Sequence, residues 1–375
     1  MAKYYLDGTL VSASGTGSGT LGDPFGKDDD LLQYAQDQVV AGAGIGATGD
    51  EYRIVNGGLN MTAHMTWSAG YSYLKPLVVT PHVQDGTQRV DMDLGGFPFT
   101  GTVGSPTTSR GGIYLYFLDF HNLNASNYSI RTATYSGIYY CNFDGGDGAH
   151  SGMLLSSSVT DVVGCRFFND QRTGSLLLQG TNGNKVLDCI FEPNMNGYMA
   201  YSYGSTWKGN IIKPTAAMTY NTGLVLTING TVAINNTFIG QNQKGSAFYI
   251  NNSYEDNVLV NNYFENIYLP VNLSGPTSHH SAIQLLCGNR GFNNFIPFES
   301  SNDNVINMEE NNDWSMTESG LVDASSGDLR PNKLLIGAGF DNKSATKPSG
   351  LNLGTPPTIG AVESYPAIPR VRDLY

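Results

Sequence analysis

The chain has 375 residues and a net charge of −12, with 20 lysines and arginines against 32 aspartates and glutamates. This charge argues against a protein that grips nucleic acid through phosphate contacts. Charged residues are only 14% of the chain while glycines number 46, which disfavours a helix bundle and favours a β protein with many tight turns.

The N-terminal residues contain no apolar stretch typical of a signal peptide. No run of about 18 apolar residues, the length needed to cross a bilayer, occurs anywhere in the sequence. We therefore expect a protein made in the cytoplasm, without membrane or nucleic-acid partners.

The first regular element in chain order is a helix predicted from Asp28 to Val40. Aspartates at 28 to 30 place negative charge where a helix N-terminus favours it, and Ala41-Gly42 ends the helix. We interpret residues 1–50 as an N-terminal segment with a capping helix. Its apolar face follows i, i+4 spacing and comprises Leu31, Leu32, Ala35 and Val39.

Strand-like runs follow at Tyr52–Val55, Leu77–Val79 and Ile113–Phe120, each bounded by Gly, Pro or Asn. We assign residues 51–300 to the main β domain. Residues 301–375 are polar and then proline-rich, and we interpret them as a C-terminal cap with an extended tail.

A short motif recurs through the β domain: a strand, then Cys or Asn, then any residue, then a bulky apolar residue. The steps between successive motifs are 24, 24, 21, 26 and 26 residues. His121-Asn122-Leu123 lies 20 residues before the first motif, and Asn293-Asn294-Phe295 lies 31 after the last. The motifs begin at Cys141, Cys165, Cys189, Asn210, Asn236 and Asn262.

Near-constant steps in the low to middle twenties predict an all-β fold, a right-handed single-stranded parallel β-helix (solenoid) with a short N-terminal capping α-helix. Coils about 4.8 Å apart place equivalent residues above one another. The cysteines and asparagines would then form one inward column, in which amides bond along the stack. A second, aromatic column would contain Phe143, Phe167, Phe191, Phe238 and Phe264.

The cysteine spacing also has to be weighed as a metal site or as disulfides. Steps of 24 residues are not Cys-x-x-Cys spacing, and parallel side chains on stacked strands point the same way, which is poor geometry for a disulfide. We interpret the cysteines as buried, free, structural thiols, and expect neither a metal nor a cofactor.

The N-terminal region contains Tyr4-Tyr5-Leu6-Asp7-Gly8, then Asp23-Pro24-Phe25-Gly26 and a helix with Tyr34-Ala35. The C-terminal region contains Leu334 to Gly339 and Pro357 to Glu363. Both regions resemble pectate-lyase-like right-handed β-helix proteins, and many such proteins, including phage-encoded ones, close with a similar Ile-Gly-Ala stretch. The resemblance implies the fold, whereas that superfamily includes lyases, hydrolases, tailspikes and purely structural virion proteins.

A candidate catalytic set lies in the stretch from Asp144 to Gly152, where Asp144, Asp147 and His150 are crowded into one turn. Paired carboxylates for sugar hydrolysis flank the bond from separate positions, so an ordinary Gly/Asp turn is the competing interpretation. The cations that a lyase would need, such as Arg166 and Lys185, do not pair with carboxylates at coil spacing.

Aromatic residues are dense between 198 and 220, where they either fill the core and interfaces or bind sugar rings. The sequence leaves both interpretations open. The residues are Tyr198, Tyr201, Tyr203, Trp207 and Tyr220.

Two functions of different class follow. The first, which we favour at this point, is a non-enzymatic structural protein of a bacteriophage particle, a capsid cement or decoration protein or a short spike. It would be a homotrimer and would contact other capsid or tail proteins. The alternative is a tailspike-like protein that binds or degrades host polysaccharide, with Asp144, Asp147 and His150 as its catalytic candidates. This alternative predicts two or three acidic residues on adjacent coils facing one groove.

Overall fold

The structure, a computed structural model, groups the chain into two compact units, Met1–Lys185 and Val186–Tyr365. The description below covers residues 1–66, 71–72, 74–97, 99–100, 112–123, 129–132, 135–145, 154–156, 160–169, 176–178, 183–193, 200–215, 223–241, 245–251, 256–274, 283–295, 309–310, 312–323, 328–332 and 334–335.

The first unit contains helix α1 (Leu31–Gly42) and short strands. In chain order the strands are β1 (Ala2–Asp7), β2 (Asp50–Asn56), β3 (Leu59–Asn60), β4 (Met65–Thr66), β5 (Leu77–Pro81), β6 (Val90–Asp93), β7 (Phe99–Thr100), β8 (Ile113–Tyr116), β9 (Leu118–His121), β10 (Ile130–Arg131), β11 (Ser136–Tyr139), β12 (Asn142–Asp144), β13 (Leu154–Ser156), β14 (Thr160–Val163), β15 (Arg166–Phe168) and β16 (Leu176–Leu178).

Strand β17 (Lys185–Leu187) crosses the boundary between the units. The second unit continues with β18 (Ile190–Glu192), β19 (Ala200–Tyr203), β20 (Thr206–Lys208), β21 (Ile211–Ile212), β22 (Gly223–Asn229), β23 (Val232–Ile234), β24 (Thr237–Ile239), β25 (Ser246–Asn251), β26 (Asn257–Val260), β27 (Tyr263–Glu265), β28 (Leu269–Ser274), β29 (Ile283–Cys287), β30 (Arg290–Phe292), β31 (Glu309–Glu310), β32 (Asp313–Met316), β33 (Leu321–Asp323) and β34 (Asp328–Pro331).

In each unit every coil adds one strand to each of three parallel sheets, which we number in the order that a coil visits them. In the first unit sheet 1 has the order β1-β2-β5-β8-β11-β14, sheet 2 the order β3-β6-β9-β12-β15, and sheet 3 the order β4-β7-β10-β13-β16. In the second unit the orders are β20-β23-β26-β29-β31, β18-β21-β24-β27-β30-β32 and β19-β22-β25-β28. The predicted parallel β-helix is therefore confirmed.

The parallel ladders extend beyond residues 51–300, the range assigned to the β domain from the sequence. Strand β1 already pairs in parallel with β2, and β32 pairs in parallel with β30. Strands β33 and β34 form an antiparallel hairpin within the predicted C-terminal cap.

Each coil turns from sheet 1 to sheet 2 at one residue in the left-handed conformation. The side chain of the residue that follows it points inward. Asparagine, aspartate and glycine tolerate positive φ, whereas aromatic residues, which occupy two of these corners, rarely adopt it. Ring atoms of Tyr140 would lie 2.4 Å from a Cβ placed on Gly164, so glycine is required below that ring. These corner residues are Phe117, Tyr140, Gly164, Asp188, Gly209, Asn235, Asn261 and Gly288.

The residue after each corner is buried, and in the second unit these residues form a hydrogen-bonded asparagine ladder. The side-chain oxygen of Asn236 accepts from the backbone N–H of Asn210 at 3.0 Å and from its amide at 2.9 Å. The amide of Asn236 donates to the oxygen of Asn262 at 2.9 Å and to the carbonyl of Trp207 at 3.0 Å. Each buried amide is thus satisfied by the neighbouring coils.

Cys141, Cys165 and Cys189 occupy the equivalent position in their own coils and use backbone carbonyls instead. The thiol of Cys165 donates to the carbonyls of Val163 at 3.4 Å and Ile138 at 3.5 Å, and the thiols of Cys141 and Cys189 make the same contact two residues back. All four cysteines are buried and free. Cys287 lies outside the column, since it precedes the corner at Gly288.

The register differs from the sequence alignment at both ends of the column. Asn142 pairs with Asp119, so Leu118 and not His121 lies beside Cys141. In the second unit Asn262 bonds to Asn289, which bonds to Asn312, so Asn293 is not the next member. Asn293 matches the motif, but it follows strand β30, whereas the ladder residue Asn289 precedes that strand.

The phenylalanines of the predicted aromatic column lie on the strands two residues after the cysteines and asparagines of the motif. Phe143 and Phe167 stack with ring centroids 4.6 Å apart in the first unit. In the second unit Phe238 and Phe264 stack at 5.3 Å, while Phe191 lies 5.6 Å from Trp207 in a tilted arrangement. All five phenylalanines are buried.

Helix α1 covers the open edge of the first coil with polar side chains. It begins at Leu31, three residues later than predicted, and the carboxylate of Asp30 accepts hydrogen bonds from Thr62 and Ala63 instead of capping the helix. Gln33 accepts from the N–H of Thr66 at 2.9 Å, and Gln36 donates to its carbonyl at 2.8 Å. Strand β4 is an edge strand with no neighbouring strand on this side, and the two glutamines supply hydrogen bonds that such a strand would otherwise make.

Substituting Asn236→Ala tests the ladder. We expect the free energy of unfolding to fall by about 3–5 kcal/mol, because each buried polar group left without a partner costs roughly 1–3 kcal/mol. Asn235→Gly is the matched control: Asn235 has a φ of 53° and a side-chain oxygen with no hydrogen-bond partner, so its loss should cost less than about 1 kcal/mol. Urea unfolding measures both, and equal losses would contradict the ladder's role.

Substituting Gln36→Ala tests the helical cap. Losing the bond to the carbonyl of Thr66 should lower the free energy of unfolding by roughly 1–2 kcal/mol and speed proteolysis of the N-terminal segment. The exposed neighbour Gln38→Ala is the control for helix propensity and should change neither quantity. A Gln36→Ala protein as stable as the control would show that the bond contributes nothing.

Candidate functional site

The outer side of sheet 2 in the first unit carries a cluster of polar side chains. Its strands alternate strictly, because every second residue of a strand points to the same side. In β6 the inward residues are Val90 and Met92, and in β9 they are Leu118 and Phe120. The outward residues make up what we call the polar face: Asp91, Asp93, Asp119, His121, Asn142, Asp144 and Arg166.

Parallel pairing arranges the polar face in two rows. Asp91 pairs with Asp119, Asp119 with Asn142, and Asn142 with Arg166. In the second row Asp93 pairs with His121, and Asp144 with Phe168. Neighbouring members of a row lie one strand spacing apart, about 4.8 Å.

Two donors hold the carboxylate of Asp119 in place. The Nε of Arg89 donates to its Oδ1 at 2.7 Å, and the Nδ2 of Asn142 donates to the same oxygen at 2.7 Å. A terminal nitrogen of Arg89 lies 2.6 Å from that oxygen. The guanidinium fixes the orientation of Asp119 and partly neutralises its charge.

His121 bridges the two carboxylates of strand β6. Its Nδ1 lies 2.9 Å from Asp91 and its Nε2 lies 3.5 Å from Asp93. Burial opposes the ionisation of Asp93, but hydrogen bonds from the Asn122 amide and the Gly95 N–H outweigh it and lower the pKa of this carboxyl. The Asp91 side chain remains 66% exposed and available to a ligand.

The catalytic candidates from the sequence are only partly placed. Asp144 lies on the polar face and accepts a hydrogen bond from Asn169 at 2.8 Å. Asp147 and His150 lie outside the described residues, so the predicted set stays a prediction. Arg166 lies over the ring of Phe168, 4.8 Å from its centroid.

The aromatic group between 198 and 220 is also only partly placed. Trp207 is buried and donates to Ser202 at 3.0 Å, so it belongs to the core. Tyr201 and Tyr203 lie on β19, while Tyr198 and Tyr220 lie outside the described residues.

Sequence reasoning missed Asp91, Asp93, Asp119 and His121. The available signal was their alternation, because Val-Asp-Met-Asp and Leu-Asp-Phe-His both place two polar residues on one side of a strand. The motif search followed the inward residues, and these outward ones belong to coils that precede its first cysteine.

A second polar group lies on sheet 1 of the first unit. Asp161 accepts a hydrogen bond from Tyr139 and lies 3.6 Å from the amine of Lys185. The sequence-based expectation that Lys185 pairs with no carboxylate at coil spacing is therefore wrong, because Asp161 lies one coil earlier. Burial raises the pKa of Asp161, and Lys185 opposes that shift. The ring of Tyr139 packs over Gly137, where an added Cβ would lie 2.3 Å from a ring atom. The same ring stacks on that of Tyr116 with centroids 4.8 Å apart. The Asp161 side chain is 34% exposed and that of Lys185 is 53% exposed.

Within the described residues no group of three or more His, Cys, Asp or Glu side chains is arranged to hold a metal ion. None of the described helices has the length and apolar character needed to span a bilayer. The chain matches no protein-family model, no curated protein and no solved structure.

The raised pKa of Asp161 predicts a pH dependence of stability. A carboxyl whose pKa is higher in the folded state stabilises the fold at low pH, and this contribution is lost as pH rises from about 4 through the raised value. The stability of the wild type relative to Asp161→Asn should therefore fall as pH increases over that range. Urea midpoints of both proteins from pH 3.5 to 7 measure it, and parallel curves would contradict it.

Proposed function

We propose that this chain is a polysaccharide-binding component of a virus particle, and that the polar face is its binding surface. The observation that carries the proposal is the placement of Asp91, Asp119 and Asp144 on adjacent strands of one sheet. The tailspike-like alternative expects acidic residues on adjacent coils, and this placement supports that alternative over a purely structural role.

The chemistry of the polar face suits sugars. Carboxylates and amides bond to hydroxyl groups as acceptors and donors, and charged partners strengthen such bonds. The contacts of Asp119 with Arg89 and of His121 with Asp91 fix these groups on rigid strands before a ligand arrives. Fixed groups lose little conformational entropy on binding.

Hydrolysis of the bound polysaccharide is a second candidate, favoured by the pairing of Asp91 with Asp119. The two residues lie on neighbouring strands of one sheet, and glycoside hydrolysis uses two carboxyl groups that flank the bond. Asp119 would supply a carboxylate of fixed position, and the Asp91–His121 pair would move the proton.

The location on a virus particle is supported by the resemblance of the C-terminal Ile-Gly-Ala stretch to that of β-helix proteins, including phage-encoded ones. We propose a homotrimer in contact with other capsid or tail proteins and with host polysaccharide. A structural role in the particle without sugar binding is the outcome left if the binding experiment fails.

The test is binding of the purified full chain to an array of bacterial O-chain lipopolysaccharides, capsular polysaccharides and uncharged glucans and mannans. We expect binding that falls about tenfold or more in Asp91→Asn/Asp119→Asn, because a hydrogen bond to a charged group contributes roughly 1.5–3 kcal/mol. Asp28→Asn/Asp37→Asn, which removes the same charge from exposed residues, should bind as the wild type does.

A reducing-end assay on the polysaccharide that binds decides between binding and cleavage. New reducing ends that disappear in Asp119→Asn would establish hydrolysis at this face. Binding without new ends would leave a binding protein. No binding to any polymer by the wild type would overturn the proposed function.

A further inference from the structure

A corner of the second unit presents an aromatic pair to solvent. Strands β27 and β30 of sheet 2 each end at an asparagine in the left-handed conformation, Asn266 with a φ of 56° and Asn293 with a φ of 51°. Two residues further on, in successive coils, stand Tyr268 and Phe295. We call these four residues the aromatic corner.

Backbone and side-chain bonds hold the aromatic corner in register. The N–H of Phe295 donates to the carbonyl of Ile267 at 2.9 Å. Asn294 accepts from the N–H of Ile267 at 3.0 Å and donates to the carbonyl of Phe264 at 3.2 Å. Both rings are therefore carried on a fixed backbone.

The rings of Tyr268 and Phe295 are stacked, with centroids 5.1 Å apart and planes 14° from parallel. The other phenylalanine stacks described above lie in the core, with Phe238 and Phe264 at most 1% exposed. Phe295 is 62% exposed, so its ring contributes little to core burial. Such a ring offers an apolar surface of defined orientation to a ligand.

Two asparagine amides precede the two rings in sequence. The amide of Asn293 donates to the side-chain oxygen of Asn266 in the preceding coil, so the two amides are linked to each other two residues before the two rings. An apolar ring next to amide groups complements a pyranose, which has a C–H face and a rim of hydroxyl groups.

The small area of the aromatic corner and the negative charge of the chain indicate which kind of ligand it binds. One exposed phenylalanine and one half-buried tyrosine cover far less than the ~800 Å² that each partner buries in a stable protein interface, so a second copy or another protein is disfavoured. The net charge of −12 disfavours an anionic sugar. An uncharged hexose unit fits both constraints.

We propose that the aromatic corner is a sugar-binding subsite in which the C–H face of an uncharged pyranose stacks on Phe295 and its hydroxyl groups bond to Asn293. This rests on the proposed function, polysaccharide binding, and adds a contact point for the polymer in the second unit.

The experiment compares full-length variants by calorimetric titration with the uncharged glucan or mannan that the array identifies. Phe295→Ala should weaken binding about fivefold, since a ring stack is worth roughly 0.5–1.5 kcal/mol, and Phe295→Trp should retain it. Val322→Ala, which truncates another exposed apolar residue of the same unit (52% exposed), should leave affinity unchanged. Thermal unfolding of each variant separates lost binding from lost structure.

Each result is decisive. Wild-type affinity in a folded Phe295→Ala protein overturns the subsite and leaves the polar face as the proposed binding surface. A wild type that binds only charged polymers overturns the uncharged-hexose assignment. A wild type that binds nothing overturns the proposed function and the subsite together.

Discussion

The hydrogen-bonded stack inside the solenoid is the constraint on which the rest of the structure depends. Coils of a parallel ladder lie about 4.8 Å apart, so a polar side chain that points inward has to bond to the equivalent residue above or below it. Asn236, Asn262 and Asn289 do this through oxygens that each accept two bonds from the asparagine one coil earlier. At the equivalent position of a coil in the first unit, the thiol of Cys165 uses backbone carbonyls instead.

The polar face is the outward consequence of the same register. Since side chains alternate along a strand, aligning Met92 with Phe120 inside the solenoid necessarily aligns Asp91 with Asp119 outside it. Inward packing thereby brings carboxylates from different coils to one strand spacing. The guanidinium of Arg89 offsets the charge of Asp119, and His121 lies 2.9 Å from Asp91, so these side chains are held in place.

The corners and the ends of the solenoid are the places where the residue type can vary without disturbing the stacked strands. Left-handed residues are needed at each turn, and asparagine or glycine supplies them at low cost. At some corners aromatic residues occupy or follow these positions, as at Tyr140 and Phe295, and such side chains add surfaces that the fold itself does not require. At the N-terminal end Gln33 and Gln36 satisfy the edge strand through their side chains, which closes the ladder without another coil.

The sequence by itself determined the parallel β-solenoid, because a stacked fold repeats the same residue types at nearly constant steps. It did not determine which residue lies beside which from one coil to the next. Loops of unequal length separate the strands, so letters such as Asn293 fit the motif while Asn289 holds the position. Only the tertiary structure brought Asp91, Asp119 and His121 together and left Phe295 exposed. Contacts between coils depend on register and burial, which are properties of the packed chain, whereas the motif records only which way each side chain points.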